Sequence, residues 1–501
     1  MSLAIVHCRA QLGIDAPLVT VEVFLSGGLP SFSIVGMAET AVRESKDRVR
    51  SALITSGFKW PQERITVSLG PADMKKTGGR FDLAIALGIL AASKKVPVEA
   101  LRGLEVYGEL SLDGEVRSVP AVLVSAMHAR TAGNTMIVPV DNGAEAAVAK
   151  AKVLPITSLL EVSAYLLGRI EIAPLPPVEP PVGAVPYPDL ADVRGQVHAK
   201  RALEIAAAGG HNLLYVGPPG TGKSMLARRL PGILPPMSEQ ETLQTAAIES
   251  VLGRPLDLSR WRRRPFRAPH HTASATAIVG GGPGPKPGEI SRAHNGVLFF
   301  DELPEFNRNV LEVLREPLET GSITISRAQA QAEYSADFQL IAAMNPCPCG
   351  YLGDPQGDCG CSAERVRTYR SKVSGPLLDR IDLHVEVGRP PKEVLRSGAG
   401  TGEPSSEVAG RVIAARELQL SRGKVMNARL DGDALEAQCE LCRGCLKMLE
   451  AAVDKFNLSA RAYQRVRRVA RTIADLAGAE TITPPHVAEA LSLRQLDKRL
   501  R

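Results

Sequence analysis

The sequence predicts an α/β protein closed by a helical region, and three observations carry that prediction. A strand–loop–helix pattern spans His211–Leu230, with HNLLYV followed at once by GPPGTGKS and then MLARRL. A second apolar stretch, GVLFFDE at Gly296–Glu302, reads as a strand that delivers two carboxylates at its C-terminal end. Residues 1–170 alternate strand and helix patterns, whereas Arg461–Ala477 lacks Pro and Gly and repeats apolar residues at helical spacing.

At 501 residues the chain has room for two or three cores. Two breaks divide it. Seven of the 18 residues in Glu171–Pro188 are proline, which blocks helix and sheet and predicts a stiff linker. Arg396–Ser406 (RSGAGTGEPSS) is a looser joint. The expected units are 1–170, 189–395 and 405–501, without an internal repeat. In the first, Arg64–Leu69 alternates apolar residues like a half-buried strand. Ala41, Val42, Ser45, Val49, Ala52 and Leu53 share a helical face that Gly57 closes. In the third, Val466, Val469, Ile473 and Leu476 form one stripe.

Composition narrows the class. No run approaches the ~18 apolar residues of a membrane span, and Met1–Ala10 lacks the form of a signal peptide. A cytoplasmic protein without a membrane partner is expected. Net charge is +6, which permits a polyanionic partner without requiring one. Arginines are concentrated at Arg260–Arg267 (RWRRRPFR), five in eight positions. Arg260, Arg262, Arg263, Arg264 and Arg267 with Trp261 suit phosphates plus base stacking, or else form a solvated surface.

Gly217, Pro218, Pro219, Gly220, Thr221, Gly222, Lys223 and Ser224 fit G-x-x-x-x-G-K-[ST] at every fixed position. Glycines let such a loop wrap closely, so that backbone N–H groups point at phosphate. Lys223 would reach the β/γ-phosphates of ATP, and the Ser224 hydroxyl would ligate Mg²⁺. About 75 residues on, Asp301 would hold Mg²⁺ through water, and Glu302 would polarise the attacking water.

A motor also needs groups that sense the γ-phosphate. Phe338–Asn345 is an apolar strand ending in Asn345, placed to orient water beside Glu302. Arg380, in Ser374–Asp382 (SGPLLDRID), suits an arginine finger reaching a neighbouring subunit; its alternative is an ion pair with Asp379 or Asp382. Arg461 opens the third-unit helix and is a candidate γ-phosphate contact from a lid. These residues in this order resemble an AAA+ ATPase of the magnesium-chelatase-like clade. Asp192–Gly210 (DVRGQVHAKRALEIAAAGG) and Phe266–Asp301, with its Arg-Ala-Pro-His-His-Thr segment, are similar to the bacterial ComM/YifB competence-type family. That resemblance covers almost the whole chain. It implies that Asn345 is sensor 1, Arg380 the finger and Arg461 sensor 2. It further implies hexameric rings that move DNA junctions during recombination and natural transformation.

A finger supplied in trans predicts oligomerisation independently. Gly280–Gly284 and the hairpin-like Ser322–Arg327 are candidate pore loops, with Lys286, Arg292 and Arg327 near enough to meet a phosphate backbone. Residues 1–170 resemble the Lon-protease-like domain, whose active members use a Ser–Lys dyad. Here Arg80 and Phe81 stand at the nucleophile's place, and the lysine slot falls on Val122 or Leu123, so no peptidase activity is expected. Lys75, Lys76 and Arg80 would hold DNA or form a solvated turn.

Of the eight cysteines, Cys347, Cys349, Cys359 and Cys361 form C-x-C-x₉-C-x-C just after Asn345. Four thiolates on Gly/Pro-rich turns suit a structural Zn²⁺; free or redox-paired thiols are the alternative. Cys439, Cys442 and Cys445 have ligand-like spacing but a helical setting. Three function classes remain. They are a DNA-remodelling motor, a chelatase motor driving metal insertion or protein remodelling, and an ATP-dependent protease or unfoldase. DNA stimulation separates the first from the second, and casein digestion tests the third.

Overall fold

The computed structural model describes residues 2–178, 186–282, 285–327, 330–390, 402–456 and 458–494. Parts of the proline-rich linker, the second joint, the Gly280–Gly284 loop and the C-terminal end of the third unit therefore lie outside the described residues. The described residues form two compact units, 1–182 with 243–261, and 183–242 with 262–501.

The first unit is built on seven strands. They are β1 (Ser2–Arg9), β2 (Leu18–Ser26), β3 (Ser31–Val35), β4 (Arg64–Gly70), β5 (Leu104–Val106), β6 (Thr135–Pro139) and β7 (Lys152–Ile156). Their order is β3-β4-β2-β1-β5-β6-β7, antiparallel at β1/β2 and β2/β4 and parallel elsewhere. Alternation does what the sequence predicts: Val19, Val21 and Val23 of β2 and Ile65, Val67 and Leu69 of β4 face the core. Against them lies α1 (Asp82–Ala92), buried along its whole length. A Cβ on Gly88 would stand 2.5 Å from Val23 Cγ2, so this close approach needs glycine. The helix expected around Ala41–Leu53 is interrupted at Glu44, between Thr40–Arg43 and Ser45–Thr55.

The units depart from the sequence boundaries in two places. Leu243, Ala246 and Trp261 pack into the first unit's core, which draws in residues 243–261. Among the described residues, the helical third segment forms no core of its own. Val408, Val412, Val466 and Val469 share one apolar cluster with Leu203, Leu213 and Ile341.

The second unit holds a five-stranded parallel sheet, β8 (Leu213–Val216), β9 (Phe266–Arg267), β10 (Val297–Phe300), β11 (Gln339–Met344) and β12 (Leu383–Glu386), in the order β9-β10-β11-β8-β12. Every strand therefore points its C-terminal end to one edge, where α/β sheets bind ligands. Helix α2 (Val197–Gly209) packs against the sheet, and α3 (Ser405–Gly423) lies on α2, with Gln419 and Arg416 donating to the carbonyls of Ala208 and Ala207. Helix α4 (Ala460–Leu476) buries the predicted Val466–Val469–Ile473 stripe and also a polar face. Asp475 on that face accepts from Arg422 (2.9 and 3.0 Å), Asn427 (2.7 Å) and Arg471 (3.1 Å). Asp475→Ala would strand these cations, and a loss of about 3–5 kcal/mol is expected. A clearly lowered thermal midpoint of the second unit would show it; an unchanged midpoint would contradict the assignment.

Candidate functional site

The loop Gly217–Ser224 leaves the C-terminal edge of β8 and enters a short helix, Lys223–Ala227. Gly220 and Gly222 hold φ of +77° and +92°, a region that side chains avoid. At Gly217 a Cβ would lie 2.1 Å from the Val387 carbonyl oxygen. Because β10, β11 and β8 are neighbours, the same edge gathers Asp301, Glu302 and Asn345. Lys223 Nζ donates to the carbonyls of Gly217 (2.7 Å) and Pro218 (2.8 Å) and to Asn345 Oδ1 (3.2 Å). Ser224 Oγ donates to Asp301 Oδ2 at 2.6 Å. A hydroxyl and a carboxylate facing each other are hard oxygen donors of the kind Mg²⁺ takes, so these residues fit the ion. Glu302 is half-exposed and left-handed (φ +53°), a strained position for a residue other than glycine.

Two neighbours of this edge escape a reading by motif. His271 Nδ1 lies 3.3 Å from Glu302 Oε2, with the His270 ring 4.1 Å from its own. Gln196 donates to the carbonyls of Thr221 (3.0 Å) and Gly388 (2.7 Å), tying the start of α2 to the loop. Both sit in the two stretches that carry the family resemblance, which was the available signal.

Arg380 and Arg461 are elsewhere. Parallel pairing puts Leu213 beside Leu383 and Val216 beside Glu386, so residues before β12 lie at the edge opposite the loop. There Arg380 and Arg461 line one cavity of about 440 Å³, in which arginines outnumber carboxylates. The expectation that Arg461 reaches the γ-phosphate from a lid is therefore corrected for its own chain, because the lid helix α4 starts at the opposite edge. Arg380 pairs with Glu319 and donates to the Pro376 carbonyl at 2.7 Å, not with Asp379 or Asp382. Burial pulls its guanidinium below the ordinary range, Arg315, Arg461 and Arg465 add to this, and Glu319 opposes. Burial beside Arg264 likewise takes Arg416 down to about 9. Crowded cations of this kind favour an anion.

The remaining basic candidates are mostly engaged locally. Trp261 is 9% exposed and packs in the first unit's core, so its ring is not presented for stacking. Arg267 makes a bidentate pair with Glu289 (2.6 and 2.7 Å), Arg264 bonds Glu241 at 3.1 Å, and Arg263 lies over the Tyr187 ring. Arg292 bonds Glu289 at 2.6 Å. Lys286 stays exposed on the Gly280–Gly281/Lys286–Pro287 hairpin. Ser322–Arg327 does form a hairpin, with Ala330–Ser335; the Arg327 side chain lies outside the described residues. In the first unit Lys76 and Arg80 are buried rather than on a solvated turn, and Lys75 pairs with Glu39. Arg80 donates to the carbonyls of Arg9 and Pro120, so the two stretches expected to hold a dyad do meet, through a guanidinium and a carbonyl. Phe81, Val122 and Leu123 are buried there. Cys347, Cys349, Cys359 and Cys361 converge, all four sulfurs lying within 4.8 Å of one another. Cys439 and Cys445 pack in the second core.

The parallel sheet, its glycine-rich loop and the acids at the same edge have the form of a nucleotide-binding α/β domain. Family models make it an AAA+ domain of the magnesium-chelatase type, with magnesium chelatase subunit ChlI matching residues 189–395, subunit ChlI of Mg-chelatase 21–142, and the ChlI C-terminal part 402–494. The YifB protein of Salmonella typhimurium is 49% identical over 100% of this chain and 98% of its own. The competence protein ComM of Haemophilus influenzae is 48% identical, over 100% and 99%. The magnesium-chelatase 38 kDa subunit of Cereibacter sphaeroides is 24% identical over 63% of this chain and 92% of its own. The chain belongs to the ComM/YifB family of magnesium-chelatase-like proteins.

Burial lowers the Lys223 ammonium to about 8, against the pull of Asp301 and Glu302. Phosphate needs the charged form, and a lowered pKa means that form is lost as pH rises through about 8. ATP affinity is expected to fall above that pH by up to about tenfold per unit, while Lys223→Arg binds weakly with a flat profile. Titrating a fluorescent ATP analogue across pH 7 to about 9.5 tests this; a flat wild-type profile would contradict it.

Proposed function

We propose that this chain is an ATP-driven DNA motor that works as a hexameric ring and promotes branch migration in homologous recombination and natural transformation. The observation that carries this is the position of Arg380 and Arg461 at the sheet edge opposite Lys223. Four residues of strand separate the edges, about 13 Å at about 3.3 Å per residue, so both arginines belong to the edge away from their own chain's loop. A head-to-tail ring brings that edge to the next subunit's loop.

Within each site, Lys223 and the loop N–H groups hold the phosphates of ATP, and Ser224 with Asp301 holds Mg²⁺. The bound ion neutralises charge on the phosphate oxygens. Glu302 accepts the proton of the attacking water, and Asn345 orients that water. Arg380 and Arg461 of the neighbouring subunit stabilise the developing charge. Support for DNA comes from the relative named as a competence protein, from the resemblance stated above and from exposed Lys286. No helix among the described residues is long and apolar enough to cross a membrane, in keeping with a cytoplasmic site of action.

A chelatase-type motor is the second reading. It is favoured by the three ChlI-type matches, one of which covers N-terminal residues 21–142. ATP hydrolysis measured without DNA, with single strands, with plain duplex and with a four-way junction separates the two. Stimulation greatest with the junction is expected, and Lys223→Ala and Glu302→Gln should each lower hydrolysis by about a hundredfold or more. Lys223-dependent hydrolysis indifferent to every DNA would overturn the DNA reading and leave the chelatase-type motor in front.

A further inference from the structure

We propose that Cys347, Cys349, Cys359 and Cys361 bind one Zn²⁺ ion, and that the resulting knuckle is the strut that fixes Asn345 against the phosphate loop, making metal loading a condition for ATP hydrolysis. The coupling rests on the role of Asn345 proposed above; the metal site does not.

The sulfurs have the spacing of a tetrahedral thiolate site. Cys347–Cys349, Cys347–Cys359 and Cys349–Cys359 are 3.3, 3.7 and 3.6 Å apart. Four thiolates at the usual Zn–S distance of about 2.3 Å have edges of about 3.8 Å. Among the described residues neither His nor carboxylate joins the set, and an all-sulfur tetrahedron suits Zn²⁺ or iron. Between Pro346 and Ser362 the chain has turns but no helix or strand, and Gly353, Gly357 and Asp358 offer little to a core. Such a segment gains its order from an ion.

The knuckle touches the nucleotide site directly. Asn345 is followed by Pro346 and then by the buried ligand Cys347. Gly350, at φ +88°, presses so closely on the loop that a Cβ would stand 2.7 Å from Pro219 Cδ and 3.8 Å from Asn345 Cγ. Arg370 clamps the Pro346 carbonyl with two bonds, at 3.1 and 2.9 Å. On the far side Arg389, just beyond β12, pairs with Asp354 at 2.9 Å. Asn345 Oδ1 in turn meets Lys223 Nζ at 3.2 Å. A knuckle without its ion would release Pro346 and Gly350 together, and with them the Asn345 amide.

The test uses the full chain purified under reducing conditions. Elemental analysis of the wild type should find one zinc per chain in a colourless protein; a metal-free or iron-coloured protein would overturn the site. Cys349→Ser/Cys359→Ser should lose the zinc, and its hydrolysis should fall about 10–100-fold while binding of a fluorescent ATP analogue changes much less. A zinc-free variant hydrolysing at the wild-type rate would overturn the coupling and leave the site standing. If that variant does not fold, Gly350→Ala takes its place, and is expected to keep its zinc yet hydrolyse slowly. Wild-type hydrolysis by zinc-loaded Gly350→Ala would overturn the coupling equally. Hydrolysis that persists in Lys223→Ala, with zinc bound, would instead sink the nucleotide-site reading and leave the metal untouched.

Discussion

Asp382 is the group on which the arrangement of this ATPase unit depends. Its carboxylate is buried at the start of β12, where Asn212 donates its backbone N–H at 3.0 Å and the Asp382 N–H returns to the Asn212 carbonyl at 3.0 Å. Burial pushes this carboxyl up, but Arg465, His211 and the Asn212 N–H outweigh burial and hold it well below the ordinary carboxylate range. One buried charge thereby aligns β8 with β12 and pins α4, which carries Arg461 and Arg465, to that sheet edge. Arg494 adds two bonds, to the carbonyls of Ile381 and Asp382. An uncompensated charge here would be expensive, which is why so many donors converge on it.

From that alignment the division of labour follows. A parallel sheet has two unlike edges. The C-terminal one carries the loop, the acids and Asn345; the other carries Arg380, whose side chain is held by Glu319 and crowded by like charges. On the function proposed above, binding and water activation belong to one edge and stabilisation of developing charge to the other, so a complete site would require a second copy.

How much of this could be read from the chain depends on sequence distance. Gly217–Ser224 is contiguous, so its passage from strand through a glycine turn to a helix follows from spacing, and the apolar runs before Asp301 and Asn345 announce buried strands by composition alone. The knuckle cysteines, too, lie within one short segment. What escaped is non-local. Glu319 lies 61 residues from Arg380, and no pattern links them. The position of Arg461 depends on where α4 docks, not on the Leu-Ser-Ala-Arg segment around it. Trp261 looked like a stacking platform among arginines, yet residues 243–261 give their apolar side chains to the first unit's core. Lys76 and Arg80 read as surface cations because charge usually is surface, but carbonyl partners let them be buried.

The central claim is that each nucleotide site is shared between two copies, and co-assembly of two inactive variants tests it most directly. Lys223→Ala removes the phosphate-loop contribution, and Arg380→Ala removes that of the opposite edge. Co-assembled in equal amounts, they should form intact sites wherever an Arg380→Ala subunit's loop meets a Lys223→Ala neighbour. Hydrolysis should then recover to about a quarter of the wild-type rate, as random placement in a head-to-tail ring requires. No recovery in mixed rings, or Arg380→Ala hydrolysing at the wild-type rate alone, would contradict the shared site.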